Sequence, residues 1–402
     1  MPRFRKLGFA ETFLHHFYTD LGAGLVTVVV ARLQKAIPIA TLEQAILAVQ
    51  ARHPLLRCRI DPSPNGLQFV ECSEFPTPAI ADITEEPLTG FETLINSSLP
   101  VGPLLWQIGT KRGSTPHLYL KIHHAIADGT AARSLLLEII RIAEGAPSGD
   151  PLPLLPAVES LVAKSKETYD VPLPTPSQNV SWKFAQSKPL PERTCRSILR
   201  STPIGPVQEK SHRQGITVNS LLMESILQNA NVTLPGFPSS PSLILPVSVR
   251  KRMAPPIADE NMGCLIGNAL VYAPDSDSIH SPRLGAVLGR QLDHAMTTAI
   301  TGPEKFNPAM VDSAIDPFRS EEQKEFGFPI ALSNLGPASE VPDSVEALWF
   351  GASVRPGHLG ILVAASTVHE NLCLGFHFAE PLVKIEDVEN FAEEVVRQLE
   401  DQ

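Results

Sequence analysis

His117-Leu118-Tyr119-Leu120-Lys121-Ile122-His123-His124-Ala125-Ile126-Ala127-Asp128-Gly129 is the stretch on which the reading of this chain turns. Its first six residues alternate, with Leu118, Leu120 and Ile122 on one side of a strand and Tyr119 and Lys121 on the other. The same parity, carried two residues on, sets His124 with the apolar side and His123 away from it. Imidazole is the one side chain whose unperturbed pKa lets it take and return a proton near neutral pH. A histidine at a strand end, held by a turn, is therefore a candidate general base, and His124 is the better placed of the two. Asp128 follows closely, and Gly129 offers the backbone freedom for a sharp turn. The plainer alternative is a hydrogen-bonded core histidine, with Asp128 as the N-cap of the next helix.

The rest of the chain limits what this motif can belong to. At 402 residues it can bury a large core in two or three domain-sized units. Apolar residues make up 43% and charged residues 19%, a globular balance. A formal net charge of -10 argues against a nucleic-acid partner, which needs clustered Lys and Arg; Arg3, Arg5 and Lys6 are too few. The longest apolar run, 25–31, is strand-sized, so no membrane insertion is expected. Glu11, His15, His16 and Asp20 interrupt the region where a signal peptide needs its apolar core. Cysteines 58, 72, 195, 264 and 373 are odd in number and lack CxxC spacing, so they read as reduced thiols of a cytoplasmic protein. The sequons at Asn96, Asn179 and Asn231 then read as chance matches.

Proline marks the organisation. The stretch 147–156 (PSGDPLPLLP) and the VPLPTP run at 171–176 are poorly helical and read as a crossover, 146–184, between halves 1–145 and 185–402. In the first half, a β-branched strand at 25–33 precedes a helix capped by Thr41 and stopped at His53-Pro54. Strands follow at 56–60, 67–70 and 117–122, then a helix at 130–144 with Ser134 outward. In the second half, regular structure is expected from Ile216, with a helix opened by Thr217 and a strand at 243–249. Further strands are expected at 265–272, 330–332, 346–350, 361–367 and 372–378, then a helix at 385–399. Interleaved helices and strands give an α/β or α+β class with two sheets.

Several segments beyond the histidine motif share an order and spacing. They are Arg52-His53-Pro54-Leu55-Leu56-Arg57, Gly215-Ile216-Thr217-Val218-Asn219, Val247-Ser248-Val249-Arg250 with Met262-Gly263, and Ser333-Asn334-Leu335-Gly336. With HHxxxDG, this set resembles the CoA-dependent acyltransferase superfamily across residues 5–395. That superfamily takes in chloramphenicol acetyltransferase, plant BAHD transferases, mycobacterial polyketide-associated acyltransferases and nonribosomal peptide condensation domains. The DFGWG segment of the plant branch is absent and SNLG stands in a comparable late position, which favours the mycobacterial or condensation-like branch.

The resemblance implies an α/β fold of two chloramphenicol-acetyltransferase-like halves, each a mixed sheet with flanking helices, meeting at a central channel. It implies a freestanding, monomeric enzyme with His124 as general base and His123 beside it. Asp128 would be a structural anchor pairing with Arg250, or failing that Arg57, and Gly129 would complete the motif loop. Ser333, Asn334 and Gly336 would lie on the channel. It further implies acyl-CoA, with acetyl-CoA the first choice, as co-substrate rather than bound cofactor, and a small hydroxylated metabolite as acceptor. The alternatives are condensation from a thioester on an acyl carrier protein, or a non-acylating binding or cyclising member of the fold. No metal is implied.

Weaker constellations are read as structural. His15-His16 reads as a surface or helix-start pair, with channel lining as the alternative. Gly22-Ala23-Gly24 lacks the third glycine of a dinucleotide fingerprint and reads as a turn. His369-Glu370 with Cys373 is not HExxH, and no GxSxG elbow is present. Ser366 and Thr367 read as strand-surface residues, with donation to a developing oxyanion as the alternative.

Overall fold

The computed structural model describes residues 4–64, 66–72, 76–100, 103–164, 182–239, 241–273, 278–297, 303, 305–320 and 322–401. The first half begins with β1 (Phe4–Lys6), α1 (Phe9–Asp20), β2 (Thr27–Leu33), α2 (Ile39–Arg52), β3 (Cys58–Ser63) and β4 (Gly66–Glu71). It continues with β5 (Ile80–Asp82), α3 (Pro87–Asn96), β6 (Trp106–Lys111), β7 (His117–Ile122) and α4 (Gly129–Ala143). After α5 (Val158–Lys164) come β8 (Thr194–Pro203), α6 (Ile204–Arg213), α7 (Val218–Thr233), β9 (Ser242–Ser248) and β10 (Ile266–Tyr272). The chain closes with α8 (Leu284–Thr297), α9 (Pro308–Arg319), β11 (Phe328–Pro337), β12 (Val345–Ala352), β13 (Leu359–Val368), β14 (Asn371–Glu380) and α10 (Ile385–Glu400).

Two mixed sheets form the two lobes. One runs β12-β2-β7-β6-β5, antiparallel except where β5 meets β6. The other runs β10-β9-β11-β13-β14-β8, parallel only through β9, β11 and β13. A third, antiparallel sheet, β1-β4-β3, goes beyond the two expected from sequence, because a three-residue strand such as β1 carries too little pattern to be seen. Chain halves and sheets do not coincide. β12, from the second half, pairs antiparallel with β2, Trp349 opposite Val30, and completes the first lobe's sheet.

Other local expectations shift. α2 starts at Ile39 behind Pro38, so Thr41 lies inside the first turn rather than capping it. A 3-10 turn at Pro54–Arg57 delays the next strand to Cys58. Regular structure in the second half starts at β8, well before Ile216. β8 is an edge strand paired along its length with β14, and its half-exposed polar residues hide the period. Within the crossover, residues 147–156 form no helix or strand, but α5 follows them; the VPLPTP run and Asn179 lie outside the described residues. Asn96 is a structural bridge, its side chain accepting from and donating to the Cys195 backbone at 2.7 Å each. All five cysteines are free thiols.

β7 is buried on both faces. Leu118, Leu120 and Ile122 pack with Leu42, Ile46, Val49, Leu135 and Ile139, while Tyr119 packs with Val28 and Phe91. The side of the strand read as facing away from the core is therefore interior too, because α3 covers it. On α4, Leu135, Leu136, Ile139 and Ile140 are buried as expected and Ser134 is less so; each such aliphatic side chain contributes about 1.5–3 kcal/mol. Among the described residues no helix is long and apolar enough to cross a membrane.

The strap holding α5 ties the lobes. Val158 is buried with Val249, Met253 and Leu265, beside Ala10 of α1. Its neighbour Glu159 accepts the Ala10 N–H at 2.7 Å through Oε1, while Oε2 is buried without a hydrogen-bond partner. Burial, helped by the Glu11 charge, outweighs the Ala10 bond and pushes the carboxyl from 4.5 up to about 7. A raised folded-state pKa favours the protonated form, so the fold is relatively more stable in acid. That advantage is lost as pH rises from the unfolded value of 4.5 through about 7. The full difference is about 3 kcal/mol. Glu159→Gln keeps the Ala10 acceptor without the charge, and is expected to exceed the parent in stability above pH 7, with the gain shrinking towards pH 5. Urea unfolding of both proteins at pH 5, 7 and 8.5 reads this; a constant difference across that range would rule it out.

Candidate active site

At the end of β7 the chain makes a tight turn. The His123 N–H donates to the Leu105 carbonyl at 2.8 Å, and the Ile126 N–H returns to the His123 carbonyl at 3.0 Å. His123 is 1% exposed, and its Nδ1 accepts the Ala125 N–H at 3.1 Å. His124 keeps partial exposure, the reverse of what strand parity predicted for the two rings, because β7 ends at Ile122 and both histidines belong to the turn. Cys264 Sγ packs 3.9 Å from His124 Nδ1.

Burial of the ring lowers the His124 pKa, opposed by its own carbonyl and by Asp128, so the imidazole is neutral at pH 7. Any step that needs Nε2 as a base should therefore hold its rate down to below pH 6.5, the ordinary imidazole value, before an acid limb appears. A kcat/KM profile from pH 4.5 to 8 measures it. An acid limb above 6.5 would contradict this environment.

Asp128 serves both roles weighed for it. As the N-cap of α4, its Oδ1 accepts the Ala131 N–H at 2.8 Å. Its Oδ2 takes Arg250 Nη2 at 2.8 Å and the Leu265 N–H at 2.9 Å. Among the described residues none of its hydrogen bonds goes to His124. Arg250 is fully buried and also donates to the carbonyls of Ala258, Asn261 and Gly263. The pair thus joins the motif loop of one lobe to the turn after β9 in the other. Arg57 is not near this pair: it binds Glu71 and the carbonyls of Gln50 and Ala51, beside the small sheet.

Gly129 is needed for space rather than for a turn. It is the first residue of α4, and a Cβ there would lie 3.0 Å from Leu335 and 3.3 Å from Phe350. Ser333, Asn334 and Gly336 sit in β11, at the point where its register with β13 shifts. Asn334 donates to Asn219 Oδ1 at 3.0 Å and accepts the Gly336 N–H at 2.9 Å, with Gly336 at φ +62°. The Gly336 carbonyl accepts from Arg133 of α4 at 2.7 Å. Further along α4, Glu138 takes Arg52 at 2.9 Å and His53 at 2.8 Å, while Arg52 also reaches Glu260 at 3.0 Å. Segments scattered over more than two hundred residues therefore converge on one helix.

Arg133, Glu138, Glu260, Cys264 and Tyr18 were not legible as members of this site. Nothing local marks them, since each matters only for what the fold brings beside it. His15 Nδ1 lies 3.4 Å from His123 Nε2, whereas His16 pairs with Asp20 at 3.5 Å on the helix surface. Ser366 is buried, its hydroxyl donating to the Leu348 carbonyl at 2.7 Å, so it is neither a strand-surface residue nor free for an oxyanion; Thr367 is partly exposed. Gly22 and Ala23 are a turn at positive φ, and His369 turns β13 into β14.

No family model matches this sequence, and no curated protein sequence matches it. Solved structures match over nearly the whole length. Polyketide synthase associated protein 5 from Mycobacterium tuberculosis aligns with 98% of this chain and 97% of its own, at 17% identity and TM-score 0.66. The condensation domain of the Monacolin K polyketide synthase MokA aligns with 99% and 97%, at 11% identity and TM-score 0.70. SgcC5 protein from Streptomyces globisporus, in complex with (R)-(-)-1-(2-naphthyl)-1,2-ethanediol and sucrose, aligns with 98% of each chain, at 15% identity and TM-score 0.66. The chain has the two-lobed, condensation-domain-like α/β fold, in agreement with the superfamily resemblance carried by HHxxxDG and its companion segments.

Proposed function

We propose that this chain is an acyltransferase of secondary metabolism, moving an acyl group from a thioester to a hydroxyl of a small acceptor. The observation that carries the reading is His124: neutral and partly exposed, with Cys264 Sγ beside its Nδ1, on the motif turn that the Asp128–Arg250 pair clamps. His124 Nε2 takes the acceptor's hydroxyl proton as the oxygen attacks the thioester carbonyl. The tetrahedral intermediate collapses with cleavage of the C–S bond, and the proton passes from His124 to the departing thiolate. Ester and free thiol result, and the base is regenerated. A thioester is already activated, so positioning and base catalysis suffice without a covalent enzyme intermediate.

Acyl-CoA, acetyl-CoA first, is the donor under this reading, a co-substrate and not a bound cofactor. The aryl ethanediol in the SgcC5 structure is a hydroxylated small molecule of the acceptor class proposed. The likeness to the MokA condensation domain favours a second reading, in which the thioester is carried by an acyl carrier protein. Purified protein, a panel of hydroxylated acceptors and either acetyl-CoA or an acetylated carrier protein distinguish the two. Acceptor-dependent thiol release with an ester of matching mass is expected from acetyl-CoA. Release from the carrier alone would establish the second reading. No thiol from either donor with any acceptor would overturn acyl transfer.

A further inference from the structure

The His123 imidazole is built into the backbone of the motif turn. Its Nδ1 accepts the Ala125 N–H, so the neutral ring carries its proton on Nε2, which faces His15 Nδ1 at 3.4 Å. Burial, and then the neighbouring His15 and His124, keep His123 well below the ordinary histidine value; burial and His16, against Asp20, bring His15 to about 4. Both rings are therefore neutral at pH 7, and the contact is a neutral N–H donor meeting a lone pair. The His15 ring stacks on His123 with centroids 5.4 Å apart at 30°. Tyr18 lies 4.7 Å from the same ring at 50°, and its hydroxyl accepts the Leu99 N–H at 2.7 Å.

His15 and Tyr18 are three residues apart on α1 and so share a face, which grips His123 between them. α1 is itself fixed: Phe17 is fully buried, Glu11 accepts the Gly8 N–H at 2.8 Å and pairs with Arg5, and Glu159 binds Ala10. If the His123 ring rotated, the N–H of fully buried Ala125 would lose its acceptor, which is costly. Ala125 is the residue after His124. The ring's orientation thus sets the turn on which the base is mounted.

We propose that His15 is a positioning residue for His124, acting through the His123 ring and the Ala125 turn. This rests on the general-base reading of His124. His15→Ala should lower kcat about tenfold with both KM values within about twofold, because the base is misaimed while the binding surfaces remain. His15→Gln, whose Oε1 can accept from His123 Nε2–H, should recover most of the rate. His15→Phe keeps the stack without an acceptor and should resemble His15→Ala.

A direct readout independent of turnover is the ring 15N spectrum of histidine-labelled protein. In His15→Ala the His123 tautomer pattern should blur and the His124 signals should shift, with the thermal midpoint close to the parent. Unchanged His124 signals, or unchanged kcat, would overturn the role of His15. Should His15→Ala fail to fold, the Gln and Phe variants carry the same comparison. If the general-base reading itself is wrong, the His124 signals still respond in His15→Ala while turnover survives His124→Ala, so the two failures are told apart.

Discussion

His124→Ala is expected to lower kcat by about 10²–10⁴-fold, the usual worth of a positioned general base. The loss should fall on kcat more than KM, because the proton transfer belongs to the transition state. The fold should survive, since His124 is only partly buried and the turn around it is held by His123 and Asp128. His124→Gln, similar in reach but unable to take a proton, should be as slow as alanine. Steady-state thiol release from an acyl-CoA, with a melting curve for each variant, makes the test. Turnover retained in either variant would remove His124 from the chemistry.

The largest effect on stability is expected at Arg250. Its guanidinium and the Asp128 carboxylate are each 1% exposed and 2.8 Å apart. Arg250→Ala leaves a buried carboxylate with only two backbone N–H donors, from Ala131 and Leu265, and should cost about 3–5 kcal/mol. Asp128→Asn is instructive in another way. Its amide can still cap α4 through an oxygen, but the nitrogen then faces Leu265 N–H and Arg250, both donors, so a charge-removing change should still destabilise. Replacing both residues by apolar ones should cost less than the sum of the single changes. Denaturant unfolding of the two singles and the double gives the coupling, and strict additivity would show that the pair does not act as a clamp. Activity should fall in step, since the same carboxylate shapes the loop that carries His124.

The legible parts share a cause. β7 was readable to the residue because strict alternation over six positions has one interpretation. Thr217 as the N-cap of α7, and the end of α2 at His53-Pro54, were readable because caps and prolines act through adjacent backbone. β8 and α1 were not placed, because half-exposed polar positions blur the period. Both faces of β7 proved buried because α3, distant in its own pattern, covers the second face.

Sequence alone pointed to the two-lobed fold, because a chemical motif is local; strand parity, carried past the end of β7 at Ile122, put the two histidines the wrong way round for burial. Only the tertiary structure decided what surrounds His124. It set Arg250 rather than Arg57 on Asp128, gave Gly129 a packing reason instead of a conformational one, and put Ser333, Asn334 and Gly336 in a strand. It also brought β12 across to the other lobe, and His15 onto His123. The physical reason is that these are pairings between residues up to more than three hundred positions apart, selected by burial and by the need of each buried polar group for a partner. No window of sequence contains both members of such a pair.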